Sequence, residues 1–293
     1  MLSYKDIVFI INPNSGKQIA EKIFSKIKNS YPEIEVLITK DEQDFNRFMN
    51  ENMEVYTVFI LSGGDGTVSI GADFLSGRTD KILAIYPTGS GNGFAREFGF
   101  TKNTQRLISA ALKGNYTATD ILRVNTKDCT NICGIGFDSQ VAHDFSKYKS
   151  RGFFSYVKAV VKVGLKFNPF SAEIAFEDQK ISRDDFMMIT IANTRQFGNN
   201  AIIAPHAKPN DRQLDIVMIR RMNPLRYPLL ALRLMTGLIK ENKHIKFIQT
   251  GAEITIRSEF KLIHTDGEPG TFEKDVKISV PDKKINILEL TTD

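Results

Sequence analysis

The chain has 293 residues, enough for one large domain or two ordinary ones, and its 42% apolar and 25% charged content is that of a globular protein with a full core. The net charge of +5 suits phosphate-bearing ligands or an anionic membrane surface and is also common among proteins with neither. Two cysteines, Cys129 and Cys133 in CTNIC, have no CxxC pairing and no matching histidine spacing, which argues against zinc and for buried thiols in a reducing compartment.

The first third alternates strand and helix signals. DIVFII (6–11), IEVLIT (34–39), VYTVFIL (55–61) and ILAIY (82–86) read as strands. Between them, 17–30 places Ile19, Ile23, Phe24 and Ile27 on one helical face, and 41–52 does the same with Phe45, Phe48 and Met49. Apolar strands alternating with amphipathic helices predict a parallel sheet covered on both faces. After about residue 120 the texture changes to short β runs: TNICGIGF, AEIAFE, FMMITIAN, LDIVMIR, EITIRS, FKLIHT, VKISV and INILEL. Only 153–166 and 224–241 read there as helices. The expected second domain is therefore an antiparallel β sandwich or barrel. MLSYKDIVFIINP has too short an apolar core for a signal peptide, and no apolar run approaches the ~18 residues of a membrane span, so a cytoplasmic chain is expected.

Three turns follow three of the first-domain strands: NPNSGK (12–17), SGGDGT (62–67) and PTGSGNG (87–93). In a parallel sheet all three open at one edge, where such sheets bind ligands. Glycines allow close backbone approach, and helix N-termini attract anions, so a polyphosphate is the natural occupant. NPNSGKQ lacks the first glycine and the final hydroxyl of a Walker A loop, and GSGNGF is not GxGxxG. Asp65 stands amid these glycines, where a carboxylate needs an offset: a magnesium ion held with the phosphates, or a proton taken from an attacking hydroxyl.

SGGDGT, NPNSGK and PTGSGNGFAREFG together resemble the diacylglycerol kinase catalytic region, and the whole chain resembles bacterial soluble lipid kinases and their sphingosine kinase relatives. TATDILRVN (117–125), GIGFDSQV (134–141) and HTDGEPG (264–270) carry the likeness to the far end. GGDGT alone is shared with NAD kinases and phosphofructokinases; its combination with GSGN and a late DGEP is more specific. The resemblance implies an α/β nucleotide domain of NAD kinase and phosphofructokinase type over 1–122, an all-β sandwich with a few helices over 123–286, and a tail, 287–293, that returns to the first domain. It also implies an active site in the cleft between the domains. For ATP it points to Asn12, Thr39, Gly63, Gly64, Asp65, Gly66, Thr67, Val68, Ser69 and Ser90.

Phosphoryl transfer is positioning plus charge neutralisation, so the carboxylates matter most. An acidic turn such as Asp266-Gly267-Glu268 is ordinarily a solvated hairpin. The resemblance instead makes Glu268 the general base, with Asp120 holding it and the acceptor hydroxyl; in the sphingosine kinase branch the aspartate matching Asp65 is the base, and both assignments stay open. A structural Mg²⁺ site would use Asp211 with backbone oxygens of Lys208 and Gln213, although Arg212 stands where relatives have glycine. Two further departures are Ser69-Ile70 where relatives carry Asn-Glu, and Gly93 where bacterial members carry aspartate.

Asp138 reads as a helix N-cap, and the resemblance implies a contact with the amine of a sphingoid substrate. Lys158, Lys162 and Lys166 are four apart, and Arg226, Arg233 and Lys240 seven apart, on the two amphipathic helix candidates. Either helix suits an anionic membrane. The four histidines have no metal spacing, and no basic-aromatic platform suggests nucleic acid. The expected protein is an ATP- and Mg²⁺-dependent kinase of a membrane lipid, diacylglycerol or sphingoid, peripheral at the inner membrane face. The alternatives are an NAD-kinase-like enzyme of soluble substrates and a non-catalytic nucleotide- or lipid-binding pseudokinase.

Overall fold

The computed structural model describes residues 2–15, 19–148 and 153–290. Lys17 and Gln18 of the first expected helix, Gly16 and Lys17 of the first turn, and 291–293 of the tail lie outside the described residues. In chain order the elements are β1 (Ile7–Ile11), α1 (Ala20–Ser30), β2 (Glu35–Ile38), α2 (Glu42–Asn52), β3 (Val58–Gly63), α3 (Asp65–Leu75), β4 (Ile82–Pro87), α4 (Gly93–Glu97), α5 (Thr104–Lys113) and β5 (Tyr116–Asp120). There follow β6 (Leu122–Val124), β7 (Lys127–Cys129), β8 (Ile132–Gly136), α6 (Phe137–Ser146), α7 (Phe153–Gly164), β9 (Phe170–Phe176), β10 (Gln179–Ala192), β11 (Gln196–Gly198) and β12 (Ala201–Ile202). The last are β13 (Leu214–Arg220), α8 (Tyr227–Thr236), β14 (Ile245–Thr250), β15 (Ile254–Ser258), β16 (Leu262–Thr265), β17 (Glu268–Thr271), β18 (Val276–Ser279) and β19 (Lys284–Leu288). Two compact units result, Met1–Thr119 with Lys283–Asp293, and Asp120–Asp282.

The first unit is the expected α/β domain. Its sheet runs β2-β1-β3-β4-β19-β5, with parallel pairing of β1 to β2 and β3, and of β4 to β3 and β19. Every residue of β1, β3 and β4 is buried, which is why these strands read as unbroken apolar runs rather than alternating ones. Ile23 and Ile27 of α1, and Phe45 and Met49 of α2, supply the buried faces of the helices as their spacing predicts. α5 was not singled out from sequence, yet its signals are plain: Asn103 caps its start through Arg106 N–H, and Gly114 closes it at φ 71°. The segment that returns to this sheet forms β19, whose Ile285, Ile287 and Leu288 are core residues.

The second unit is the expected antiparallel β sandwich. β10 is its organising strand. Its first half pairs with β9, and its second half pairs with β8 and β13. The change of partner falls at an irregularity between Arg183 and Phe186. A core of Ile, Leu, Val, Met and Phe side chains from β8, β9, β10, β13, β15 and β18 fills the interior. Both expected helices exist but are shorter than their sequence patterns. α8 starts at Tyr227, after a 3₁₀ turn at Pro224–Arg226, and stops at Gly237, whose φ of 68° ends the helix. Lys240 is therefore off the helix and cannot share a face with Arg226 and Arg233. α7 ends at Gly164, which leaves Lys166 in the turn beyond. Among the described residues no helix is long and apolar enough to cross a membrane.

Candidate active site

The first unit gathers the nucleotide candidates at the carboxyl ends of four adjacent strands. Asn12 follows β1, Thr39 follows β2, Gly63 ends β3, and Thr88 follows β4. Asn12 organises the first two loops: its Nδ2 donates to Thr67 Oγ1 at 2.9 Å, its N–H to Ser62 O at 3.0 Å, and its Oδ1 accepts from Asn14 N–H at 2.9 Å. Thr39 is buried, with its N–H and hydroxyl both on Ile11 O, at 3.0 and 3.3 Å. Thr88 Oγ1 donates to Ser15 Oγ at 3.0 Å and ties the third loop to the first.

Two glycines show why the loops have this composition. A Cβ on Gly89 would lie 2.4 Å from Gly64 Cα, so the second and third loops meet backbone to backbone. A Cβ on Gly63 would meet Thr67 Cβ at 2.3 Å. α3 begins at Asp65, directly after Gly64, and the N–H groups of its first turn have no acceptor within the helix. They form an anion-attracting end whose cap residue, Gly64, makes no side-chain cap hydrogen bond. Asp65 Oδ1 accepts from Phe94 N–H at 3.3 Å, so this carboxylate also joins the second loop to α4. Asn92, in the left-handed region at φ 49°, holds the position before α4 without a side-chain cap bond and donates from Nδ2 to Gly89 O at 2.7 Å. Thr67, Val68 and Ser69 are buried, whereas Ser90 is exposed.

The second unit carries the other candidate carboxylates. Asp120 is only 2% exposed; its Oδ2 accepts from Arg212 N–H at 2.7 Å, and its N–H donates to Pro209 O at 2.6 Å. Asp120 is thus fastened to the 208–213 turn, where Arg212 adopts φ 60° in place of the expected glycine. Asn193 Nδ2 then bridges Asp120 O, at 2.8 Å, to Thr130 O, at 2.7 Å. Thr130 donates from N–H and Oγ1 to Asp266 Oδ2, at 2.9 and 3.0 Å. Asp266 Oδ1 accepts from Asn131 N–H at 2.8 Å and from Cys129 Sγ at 3.1 Å. Asp266 is buried, at φ 52° in the turn between β16 and β17. Glu268, two residues on, is exposed. The two acidic residues of this turn have different characters: Asp266 is a structural anchor, and Glu268 is presented to solvent. Asn193 and Thr130 were not found from sequence, because a lone Asn or Thr after a strand carries no distinctive spacing.

Asp138 is the second residue of α6, not its cap; the cap position is Gly136, at φ 112°, which is bonded reciprocally with Ser139 Oγ. The Asp138 carboxylate is turned inward. Oδ2 lies 3.2 Å from His264 Nε2 and accepts from Thr190 Oγ1 at 3.1 Å. His264 Nδ1 accepts from Gly267 N–H at 3.3 Å, which leaves Nε2 to donate to Asp138. Gly134 is required here, since a Cβ would come 2.0 Å from Asp138 Oδ2. Burial pushes the Cys129 thiol well above the ordinary range, and Cys133 and Asp266 beside it add to the effect.

The 208–213 turn is the candidate site for a hard cation. Asp211 Oδ1 accepts from Gln213 N–H at 3.1 Å, and Oδ2 from Gln249 Nε2 at 3.2 Å. Asp215 is buried, with Oδ2 lacking a hydrogen-bond partner; burial first, then the charge of Asp211, pushes its carboxyl up to about 6. Two carboxylates with backbone oxygens form a donor set that suits Mg²⁺. Among the described residues, however, no group of three His, Cys, Asp or Glu side chains is placed to hold a metal.

Residues 6–124 match the family described as "Diacylglycerol kinase catalytic domain", and residues 131–288, over half the chain, match "YegS C-terminal NAD kinase beta sandwich-like domain". A Citrobacter koseri protein named "Probable lipid kinase YegS-like" is 30% identical over 226 residues, covering 74% of this chain and 75% of the relative. The "Diacylglycerol kinase" of Bacillus subtilis is 24% identical over 270 residues, 89% of each chain. The crystal structure of a diacylglycerol kinase from Bacillus anthracis superposes with a TM-score of 0.74 at 19% identity, covering 97% of both chains, a likeness of fold. The chain belongs to the diacylglycerol kinase catalytic-domain family, in its YegS-like branch of lipid kinases.

Proposed function

We propose that this protein transfers the γ-phosphoryl group of ATP to the hydroxyl of a membrane lipid, a diacylglycerol or a sphingoid lipid. The observation that carries the reading is the contact of Gly64 with Gly89. It brings two backbone loops together beside the start of α3, which supports phosphate binding there, in a chain whose family is one of phosphotransferases. Asn12, Thr39, Ser90 and residues 63–69 hold the nucleotide. In the transfer, the acceptor oxygen forms a bond to the γ-phosphorus while the bond to the β,γ-bridging oxygen breaks, and ADP leaves. The hydroxyl proton goes to Glu268, whose exposure suits proton exchange, with Asp120 orienting the acceptor; Asp65 joins two nucleotide loops and is the rival base. Mg²⁺ held with the phosphates would offset the charge of Asp65, and a separate structural Mg²⁺ would use Asp211 with backbone oxygens of Lys208 and Gln213. A bilayer substrate requires membrane contact, so we place the protein peripherally at the cytoplasmic face.

The test is transfer of label from γ-labelled ATP in mixed micelles offering diacylglycerol, sphingosine, ceramide and a polyprenol, with NAD as soluble acceptor. Wild type runs beside Asp65→Asn and Glu268→Gln. Label entering one lipid and lost in Glu268→Gln supports the reading; label entering NAD supports the soluble-substrate alternative, and label entering nothing despite ATP binding supports a pseudokinase.

A further inference from the structure

The β-sandwich unit carries a cavity of about 640 Å³ that none of the candidate site residues lines. It opens where β10 leaves β9 for β13. Its lining includes the buried apolar side chains of Phe186, Met218 and Ile245. It also includes five Lys and Arg side chains. Lys180 and Arg220 are already neutralised, the first 2.7 Å from Glu173 and the second bonded to Asp185 at 3.0 Å through Nε and 2.6 Å through Nη2. Arg183, Lys243 and Lys246 also line it, all exposed, with Glu241 the carboxylate of the lining; Arg183 shares the field of Asp185 with Arg220. Arg220 Nη1 also donates to Lys243 O at 3.3 Å and fixes the segment that carries two of these cations.

Loose surface lysines would be solvated and would bind nothing in particular. Here they line one concavity together with buried hydrocarbon side chains, and the segment 241–246 that carries two of them follows α8 after residues 237–240. That helix is apolar on two sides. Tyr227, Leu230 and Leu234 pack on the core, while Leu229, Leu232 and Met235, at helical spacing on another face, are 48%, 59% and 46% exposed. Leu238, 61% exposed, follows just before the cationic segment. An exposed apolar row of this kind marks an interaction surface, and leucines beside cations suit the headgroup boundary of an anionic leaflet.

We propose that this cavity receives the phosphate headgroup of an anionic membrane lipid, with the α8 leucines resting in the leaflet that carries it. The purpose of the site rests on the lipid-kinase reading, but its test needs no turnover. Full-length protein is sedimented, without ATP, with vesicles of phosphatidylcholine alone or containing phosphatidic acid. Wild type is expected to prefer the acidic vesicles. Arg183→Ala/Lys243→Ala/Lys246→Ala, all surface changes, should weaken that binding at least tenfold. Leu229→Ser/Leu232→Ser should weaken binding to both vesicles. The inference is overturned if the triple variant sediments like wild type, or if Lys158→Ala/Lys162→Ala on α7 weakens binding as much, which would mean general charge attraction. It is also overturned if glycerol phosphate titrates the cavity while vesicle binding ignores it, which would make it a soluble-phosphate site. A null result in the micelle kinase assay with this vesicle pattern intact would sink the kinase reading and not the docking site.

Discussion

Asp266 and Thr130 are joined twice, through the backbone N–H and the hydroxyl of Thr130, both on Oδ2 of the aspartate. Since Oδ1 takes Asn131 N–H and Cys129 Sγ, the carboxylate is consumed in holding the turn. Asp266→Ala would leave these donors buried and unsatisfied, a loss of about 3 kcal/mol. For a unit of this size that is a fall in Tm of roughly 6–12 °C. Glu268→Gln, on an exposed side chain of the same turn, should leave Tm unchanged while lowering kcat by about 100-fold or more if Glu268 is the base. Thermal melts and label transfer on both variants read the two roles apart; equal melts would show that Asp266 is no anchor.

The approach of Gly64 to Gly89 gives a sharper test of the nucleotide cradle. Gly89→Ala places a methyl 2.4 Å from Gly64 Cα, so one loop must move, at a cost of about 1–3 kcal/mol. ATP affinity, measured by calorimetric titration with a non-hydrolysable analogue, is expected to fall about tenfold or more. Gly164→Ala, where the added methyl finds only Phe137 at an ordinary 3.8 Å, is the control expected to bind normally.

These two tests draw on parts of the site that differ in how far the sequence displays them. The nucleotide loops were legible because parallel-strand ends and close backbone approach demand glycine at fixed places, and Gly63, Gly64 and Gly89 stand there. The buried strands were legible for the same reason, as β1, β3 and β4 are covered on both faces. The path from Asp120 through Asn193 and Thr130 to Asp266 was not legible. It is made of Asn193 bonds to two backbone carbonyls and Thr130 bonds to a carboxylate 136 positions away, and any Asn or Thr can make such bonds. Helix ends failed for a simpler reason. The apolar pattern continues past Gly237 in Leu238 and Ile239, but the left-handed glycine stops the backbone first.

Asp138 separates two roles that the sequence left together. Its carboxylate faces His264 and Thr190 from a nearly enclosed position. Asp138→Asn should therefore lower stability by roughly 1–3 kcal/mol, through a weakened buried hydrogen bond. It should leave the ratio of activities on sphingosine and diacylglycerol as in wild type. A selective loss with the amino-lipid, at unchanged Tm, would restore the amine contact and refute the structural role.

Asp215 gives the stability of the second unit a pH dependence opposite to the usual one. Its folded carboxyl titrates at about 6, raised by burial and then by Asp211, whereas an unfolded aspartate titrates near ~3.9. Between those values the folded state holds the proton and the unfolded state does not, so stability falls as pH rises through this window. The penalty is absent below about pH 4 and complete above about pH 6. Asp215→Asn removes the charge while keeping the shape. With a chelator present, so that no divalent ion screens the Asp211–Asp215 pair, the variant should melt above wild type at pH 7–8. The difference should shrink steadily on acidification and vanish near pH 4. Adding Mg²⁺ at pH 7.5 should raise the melting temperature of wild type and leave that of Asp211→Asn where it was, if the turn holds the ion. A melting difference that is flat with pH would mean that Asp215 ionises freely in the folded protein, and the repulsion argued for this pair would then be absent.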